Sequence, residues 1–166
     1  YTFSIDAENA FRAYFSETKL LIDTELANLI SKFSKIHLHP QIEYATLSSG
    51  KRLRPLLVIL SAESVGGDRG KVMPLALAFE LVQTATLVHD DIIDEDELRR
   101  GIPTLYKKWS MDDAILTGDA MIALAVYLTS DFGEHILKTV SQSALELCEG
   151  EHADACLPLD MATEKE

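Results

Sequence analysis

Glycine and proline are scarce, eight and five in 166 residues, where average usage of the two together is roughly 12%. So little punctuation excludes a turn-rich β-sandwich and favours long helices. Cysteine is nearly absent. Cys148 and Cys156 form no C-x-x-C pair and cannot staple a chain of this size, so a reducing, cytoplasmic setting is expected. Positive charge is in deficit, with 15 basic against 27 acidic residues and a net charge of −12. A nucleic-acid partner needs basic excess to displace counterions from phosphates, and none is expected here. No uninterrupted apolar run approaches the ~18 residues of a membrane helix, so no transmembrane segment is expected. Residues 1–11 lack the basic and apolar regions of a signal peptide. The chain has no starting methionine and reads as trimmed. What is present is 47% apolar and 25% charged residues, the profile of one soluble globular domain with a real core.

No internal repeat, low-complexity tract or Gly/Ser linker divides the chain, so residues 1–166 are read as a single all-α unit. Apolar side chains three and four apart, among them Phe11, Phe15, Leu20, Leu26 and Ile30, predict one long amphipathic helix over residues 5–33. The run from His37 to Pro40 breaks it. A short helix is predicted over residues 43–47, stopping at Ser48-Ser49-Gly50. Residues 53–65 are apolar nearly all round, with Pro55 suiting a first turn and Gly66-Gly67 a stop. Residues 72–89 predict a central buried helix, residues 99–103 a loop, and residues 112–128 and 136–155 two further core helices. At least five helices and no strand pattern give an antiparallel helix bundle.

The central helix runs into Asp90-Asp91-Ile92-Ile93-Asp94-Glu95-Asp96-Glu97, six carboxylates within eight residues. Asp90 and Asp94 are i and i+4, on one helix face. Carboxylates at a helix C-terminus meet the negative end of the macrodipole as well as each other, which repels unless a cation sits there. Oxygen ligands without histidine or cysteine spacing favour a hard ion, Mg²⁺ first, and Mg²⁺ on one or two carboxylates commonly bridges to substrate phosphates. The same run is equally consistent with a solvated acidic loop.

Two compact basic clusters stand out in so acidic a chain: Lys51-Arg52-Leu53-Arg54, which opens a helix, and Arg99-Arg100. Arginine forks and a lysine at a helix N-terminus match what diphosphate oxygens require, and salt bridges to the acidic run are the alternative. Gln83 lies two turns before Asp90 on the same face of a buried helix, where its amide needs a partner. Thr86 shares that face and Ala85 adjoins it, with Phe79 deeper. A groove polar at its mouth and apolar below suits an amphiphile with a charged head and a hydrocarbon tail; close helix packing is the other reading of the small residues.

Taken in order, these residues resemble a known family. Asp90-Asp91-Ile92-Ile93-Asp94 followed by Arg99-Arg100-Gly101-Ile102-Pro103-Thr104 is similar to the first aspartate-rich motif of trans-isoprenyl diphosphate synthases. Gly50-Lys51-Arg52-Leu53-Arg54-Pro55 resembles their isopentenyl-diphosphate-binding motif, and Gly118-Asp119 fits a recurrent pair. A lone D-D-x-x-D is weak, whereas the ordered set is highly specific and spans about residues 45–155. The resemblance implies an isoprenoid synthase type fold, a helix bundle around a central cavity, and a homodimer. The implied activity is Mg²⁺-dependent head-to-tail condensation of isopentenyl diphosphate with an allylic prenyl diphosphate. It implies Mg²⁺ on Asp90, Asp94 and Asp154, with Asp91 supporting. It gives Arg99 to the allylic diphosphate, and Lys51, Arg54, Gln83 and Arg100 to isopentenyl diphosphate. The family's Gly-Gln-x-x-Asp reads Gly150-Glu151-His152-Ala153-Asp154, with glutamate for glutamine.

Members of that family carry a second aspartate-rich motif and a lysine-threonine segment in a C-terminal half. Neither occurs before Glu166, so the resemblance implies the N-terminal portion of a longer prenyl diphosphate synthase. A non-catalytic partner subunit is the alternative that keeps this in view. A class I terpene cyclase also uses D-D-x-x-D, but the two basic motifs point to a second diphosphate substrate. Glu149-x-x-His152 is one E-x-x-H pair where a di-iron bundle needs two. In the resembled family, bulky aromatic residues four and five positions before the motif stop growth at fifteen carbons. Ala85 and Thr86 are small, and Phe79 lies eleven residues before Asp90, roughly 16 Å down the helix at 1.5 Å per residue. That depth implies a product of about twenty carbons or longer, at 1.5 Å per backbone carbon step.

Overall fold

The computed structural model describes residues 5–48 and 50–156. Among them run seven α-helices: α1 (Ile5–Ser31), α2 (His39–Leu47), α3 (Leu53–Ser64), α4 (Arg69–Ile93), α5 (Leu105–Lys108), α6 (Met111–Thr129) and α7 (Glu134–Cys156). A two-stranded ribbon, β1 (Leu98–Arg99) and β2 (Ile102–Pro103), separates α4 from α5. The fold is all-α, as the composition predicts. By their contacts the described residues cluster into two compact units, divided between Leu128 and Thr129.

α1 buries Thr18, Ile22, Leu26, Leu29 and Ile30, a stripe at steps of three and four. Phe11 and Leu20, expected in that stripe, are exposed. α2 begins four residues earlier than predicted. Pro40 stands in its first turn, where its missing N–H is unpaired in any helix, so it starts this helix, while α1 has already ended at Ser31. Of the predicted stop, Ser49 lies outside the described residues. Pro55 takes the same role at the start of α3, and Gly66, at φ 80°, turns the chain beyond it.

α4 is the core helix. Asp68 caps it by accepting from the Lys71 N–H at 2.9 Å, worth about 1 kcal/mol. Ten of its residues are buried, including Ala76, Leu77, Leu81, Ala85 and Val88. By length and composition, α4 and residues 111–132 could each cross a membrane. Uninterrupted apolar runs do not reveal them, because a helical window tolerates a few charges. In α4 half of that window is already buried inside the protein. α6 packs by a narrow stripe of Ala114, Thr117, Met121 and Ala125, leaving Ile115, Leu116, Val126 and Tyr127 exposed. In the second unit, α7 buries none of its described side chains, so the expectation of another core helix is not met there.

Candidate functional site

The carboxylates are placed by the way α4 terminates. The Asp94 N–H donates to the Asp90 carbonyl at 2.8 Å, and the Asp96 N–H to the Asp91 carbonyl at 2.9 Å. Between them Glu95 takes φ 57°, the left-handed residue of a Schellman stop, where glycine is usual. Asp90 therefore stands half-buried in the last turn and Asp94 exposed at the C-cap. Asp91 turns inward instead and is buried. Its carboxylate accepts from Arg99 Nε. Burial pushes the Asp91 pKa up, Arg99 opposes this, and the net direction is upward.

Arg99 and Arg100 are neighbours with different fates. Arg99 lies in β1, paired with Ile102 of β2, its guanidinium on Asp91 and 3.7 Å from Asp96. Arg100 at φ 54° and Gly101 at φ 81° make the two-residue turn between the strands, the left-handed pair that a tight hairpin requires. A hairpin thus stands where the sequence predicts a loop, although a residue followed by glycine is the usual signal for such a turn. Tyr44 Oη donates to the Pro103 carbonyl at 2.8 Å and Thr104 Oγ1 to the Asp96 carbonyl at 2.8 Å, which tie the ribbon to α2 and to the acidic turn.

Two adjoining cavities result. The larger, about 620 Å³, is lined by Lys51, Arg52, Arg54, Gln83 and Arg100 among others. It brings together the four residues that the sequence assigns to one diphosphate-binding set, from α3's start, α4 and the ribbon. The smaller, about 310 Å³, lies against Asp91 and Arg99, with Leu87 and Val88 in its wall. Gly50 sits where two arginines close in: a Cβ there would stand 3.1 Å from Arg52 Nη1 and 3.2 Å from Arg100 Nη1.

Arg52, in sequence only one member of a basic cluster, is buried. Its Nε donates to Asp23 at 2.8 Å and its Nη1 to Glu80 at 2.5 Å. Burial works against its charge, but the two carboxylates more than offset this and hold its pKa above the ordinary value. Removing one partner of such a buried pair typically costs about 3–5 kcal/mol. The signal is Glu80 itself, a carboxylate on the buried core helix α4.

Among the described residues no three His, Cys, Asp or Glu side chains gather closely enough to cage a metal. Mg²⁺ does not need such a cage, because one or two carboxylates with waters and phosphate oxygens complete its octahedron. Asp90 and Asp94 fit that donor set. Asp154 is exposed on α7, in the second unit. Of the residues expected to set product length, Ala85 is fully buried and Phe79 and Thr86 are half-buried, and they line neither cavity.

A family model described as polyprenyl synthetase matches residues 36–166. A geranylgeranyl diphosphate synthase of Methanosarcina mazei is 37% identical over 150 residues, covering 87% of this chain and 45% of that protein. A crystal structure of a geranylgeranyl pyrophosphate synthase superposes with TM-score 0.81 at 36% identity, covering 92% of this chain and 46% of the other. A geranylgeranyl pyrophosphate synthetase from the archaeon Geoglobus acetivorans superposes with TM-score 0.78 at 34% identity, covering 84% and 48%. The chain thus spans about half the length of the relatives it matches. The matched span takes in the basic turn at Lys51, the carboxylates of α4 and the arginine ribbon, and on this ground the chain belongs to the polyprenyl synthetase family.

Proposed function

We propose that this chain carries the isopentenyl-diphosphate site and the first metal-binding carboxylates of a trans-prenyltransferase that makes geranylgeranyl diphosphate or longer all-trans products. The observation that supports it most is the convergence of Lys51, Arg54, Gln83 and Arg100, from three separate segments, on one cavity. Two guanidiniums, an ammonium and an amide suit a diphosphate, since forked and charge-assisted hydrogen bonds are the strong ones. Asp90 and Asp94 would hold Mg²⁺, whose charge would offset that of the allylic diphosphate and so favour its departure. Asp91 fixes the guanidinium of Arg99 for that second diphosphate.

Condensation joins the allylic carbon to the double bond of isopentenyl diphosphate, with loss of diphosphate and a proton. The residues of this site position and neutralise charge, and none is required as a nucleophile. Exposed, unpaired Cys148 and Cys156 suit a reducing, cytoplasmic setting. The exposed apolar side chains of α6 suit a second copy in a homodimer. The test is transfer from labelled isopentenyl diphosphate to allylic primers by the protein at its full encoded length. We expect Mg²⁺-dependent products of twenty or more carbons, and loss of activity by a factor on the order of 10³ in Asp90→Ala or Asp94→Ala with circular dichroism unchanged. Near-normal turnover in both variants refutes the metal assignment.

A further inference from the structure

The basic turn before α3 and the first turn of α3 carry three cations within four residues, and the structure treats one of them differently. Lys51 and Arg54 are exposed and line the larger cavity. Arg52, between them, is 5% exposed and stands at φ 54°, in the left-handed region. A non-glycine residue there persists only when its surroundings hold it. Here its side chain is held from three helices: by Asp23 of α1 at 2.8 Å, Glu80 of α4 at 2.5 Å, and the Thr46 carbonyl of α2 at 2.8 Å. Asp23 is itself paired with Lys19 at 2.6 Å, so the network closes with two charges of each sign. Glu80 lies three residues, less than one helical turn, before Gln83.

We propose that Arg52 is a positioning residue: by clamping the basic turn to Glu80 and Asp23, it sets Lys51 and Arg54 at a fixed distance from Gln83. This rests on the reading of that cavity as the isopentenyl-diphosphate site. Arg52 spends its hydrogen bonds on protein acceptors, and its effect on substrate passes through its neighbours. A small misplacement of such a clamp costs up to about 10²-fold.

The test uses steady-state kinetics of the full encoded protein with both substrates varied, in Arg52→Lys and Glu80→Gln. A lysine ammonium is a compact point charge and does not reproduce the rigid planar fork that spans Asp23, Glu80 and the Thr46 carbonyl. Positioning therefore predicts a KM for isopentenyl diphosphate raised on the order of tenfold or more in each variant, well beyond any rise in the allylic KM. Glu80→Gln separates positioning from direct binding. If Arg52 bound diphosphate directly, removing the competing carboxylate would free its guanidinium and lower that KM. A lowered or unchanged KM in Glu80→Gln overturns the proposal, as does an equal rise for both substrates. If Arg52→Lys fails to fold, Glu80→Gln alone is decisive. An unmodified protein without prenyl transfer overturns the functional reading and this inference with it. Transfer by the unmodified protein without the KM split overturns only the inference.

Discussion

Ala85 and Thr86 sit side by side on α4, yet their packing differs. Ala85 has no exposed surface and belongs to the core cluster, whereas Thr86 is half-buried, its hydroxyl donating to the Gln83 carbonyl at 3.0 Å. If a growing hydrocarbon tail runs down this face, a ring at either position shortens it, at different cost. Phe in place of Ala85 must displace packed neighbours, an overpacking of about 1–3 kcal/mol. At this chain length that lowers Tm by about 2–4 °C for each kcal/mol. Thr86→Phe enters a position with an open side. The expected outcome is a shift towards fifteen-carbon product in both variants, with the larger loss of Tm in Ala85→Phe. Chromatography of the products and a thermal scan measure the two effects. An unchanged length distribution in both, at retained activity, shows that the tail takes another route.

At the scale of elements, the approach of α6 to α4 depends on the absence of a side chain. A Cβ on Gly118 would overlap His89 Nε2 and stand 2.7 Å from the ring carbon Cδ2, a clash that persists while the ring stays in place. His89 uses that space to reach the Ile115 carbonyl at 3.2 Å. The carbonyl can only accept, so Nε2 carries the hydrogen. His89 directly precedes Asp90, which makes Gly118 a support for the last turn that presents the carboxylates. Gly118→Ala should therefore destabilise by about 1–3 kcal/mol. His89→Ala combined with it should recover much of that loss, since the clash disappears. Thermal unfolding of the three variants checks this, and purely additive losses would contradict the packing. The same scale explains what the hairpin does. Its left-handed turn sets Arg100 where both cavities meet, while strand pairing keeps Arg99 beside Asp91 in the smaller cavity alone.

Across the whole molecule, what is legible in the sequence is whatever a local period or spacing encodes. The long first helix, the apolar central helix and the i, i+4 carboxylates follow from residues near each other in sequence. Only the family resemblance carried by the ordered motifs groups Lys51, Arg54, Gln83 and Arg100 in one expected set. What escapes is decided by tertiary context. Pro40 reads as a breaker and acts as a starter, because only its neighbours determine which side of it becomes helix. Arg52 reads only as one member of a basic cluster, because its partners Asp23 and Glu80 lie 29 and 28 residues away in sequence. The functional reading stands on the larger cavity being the site of isopentenyl diphosphate. Arg100 is its most direct probe, because it reaches that cavity from the ribbon, whereas the other lining residues come from α4, the basic turn and the start of α3. Measuring KM for each substrate in Arg100→Ala and Arg99→Ala tests it. A charge-assisted hydrogen bond is worth about 1.5–3 kcal/mol, roughly ten- to hundredfold. The predicted result is a rise of that size in the isopentenyl KM for Arg100→Ala with a smaller allylic change, and the reverse for Arg99→Ala. Equal effects of Arg100→Ala on both substrates, or none on isopentenyl diphosphate, would contradict it.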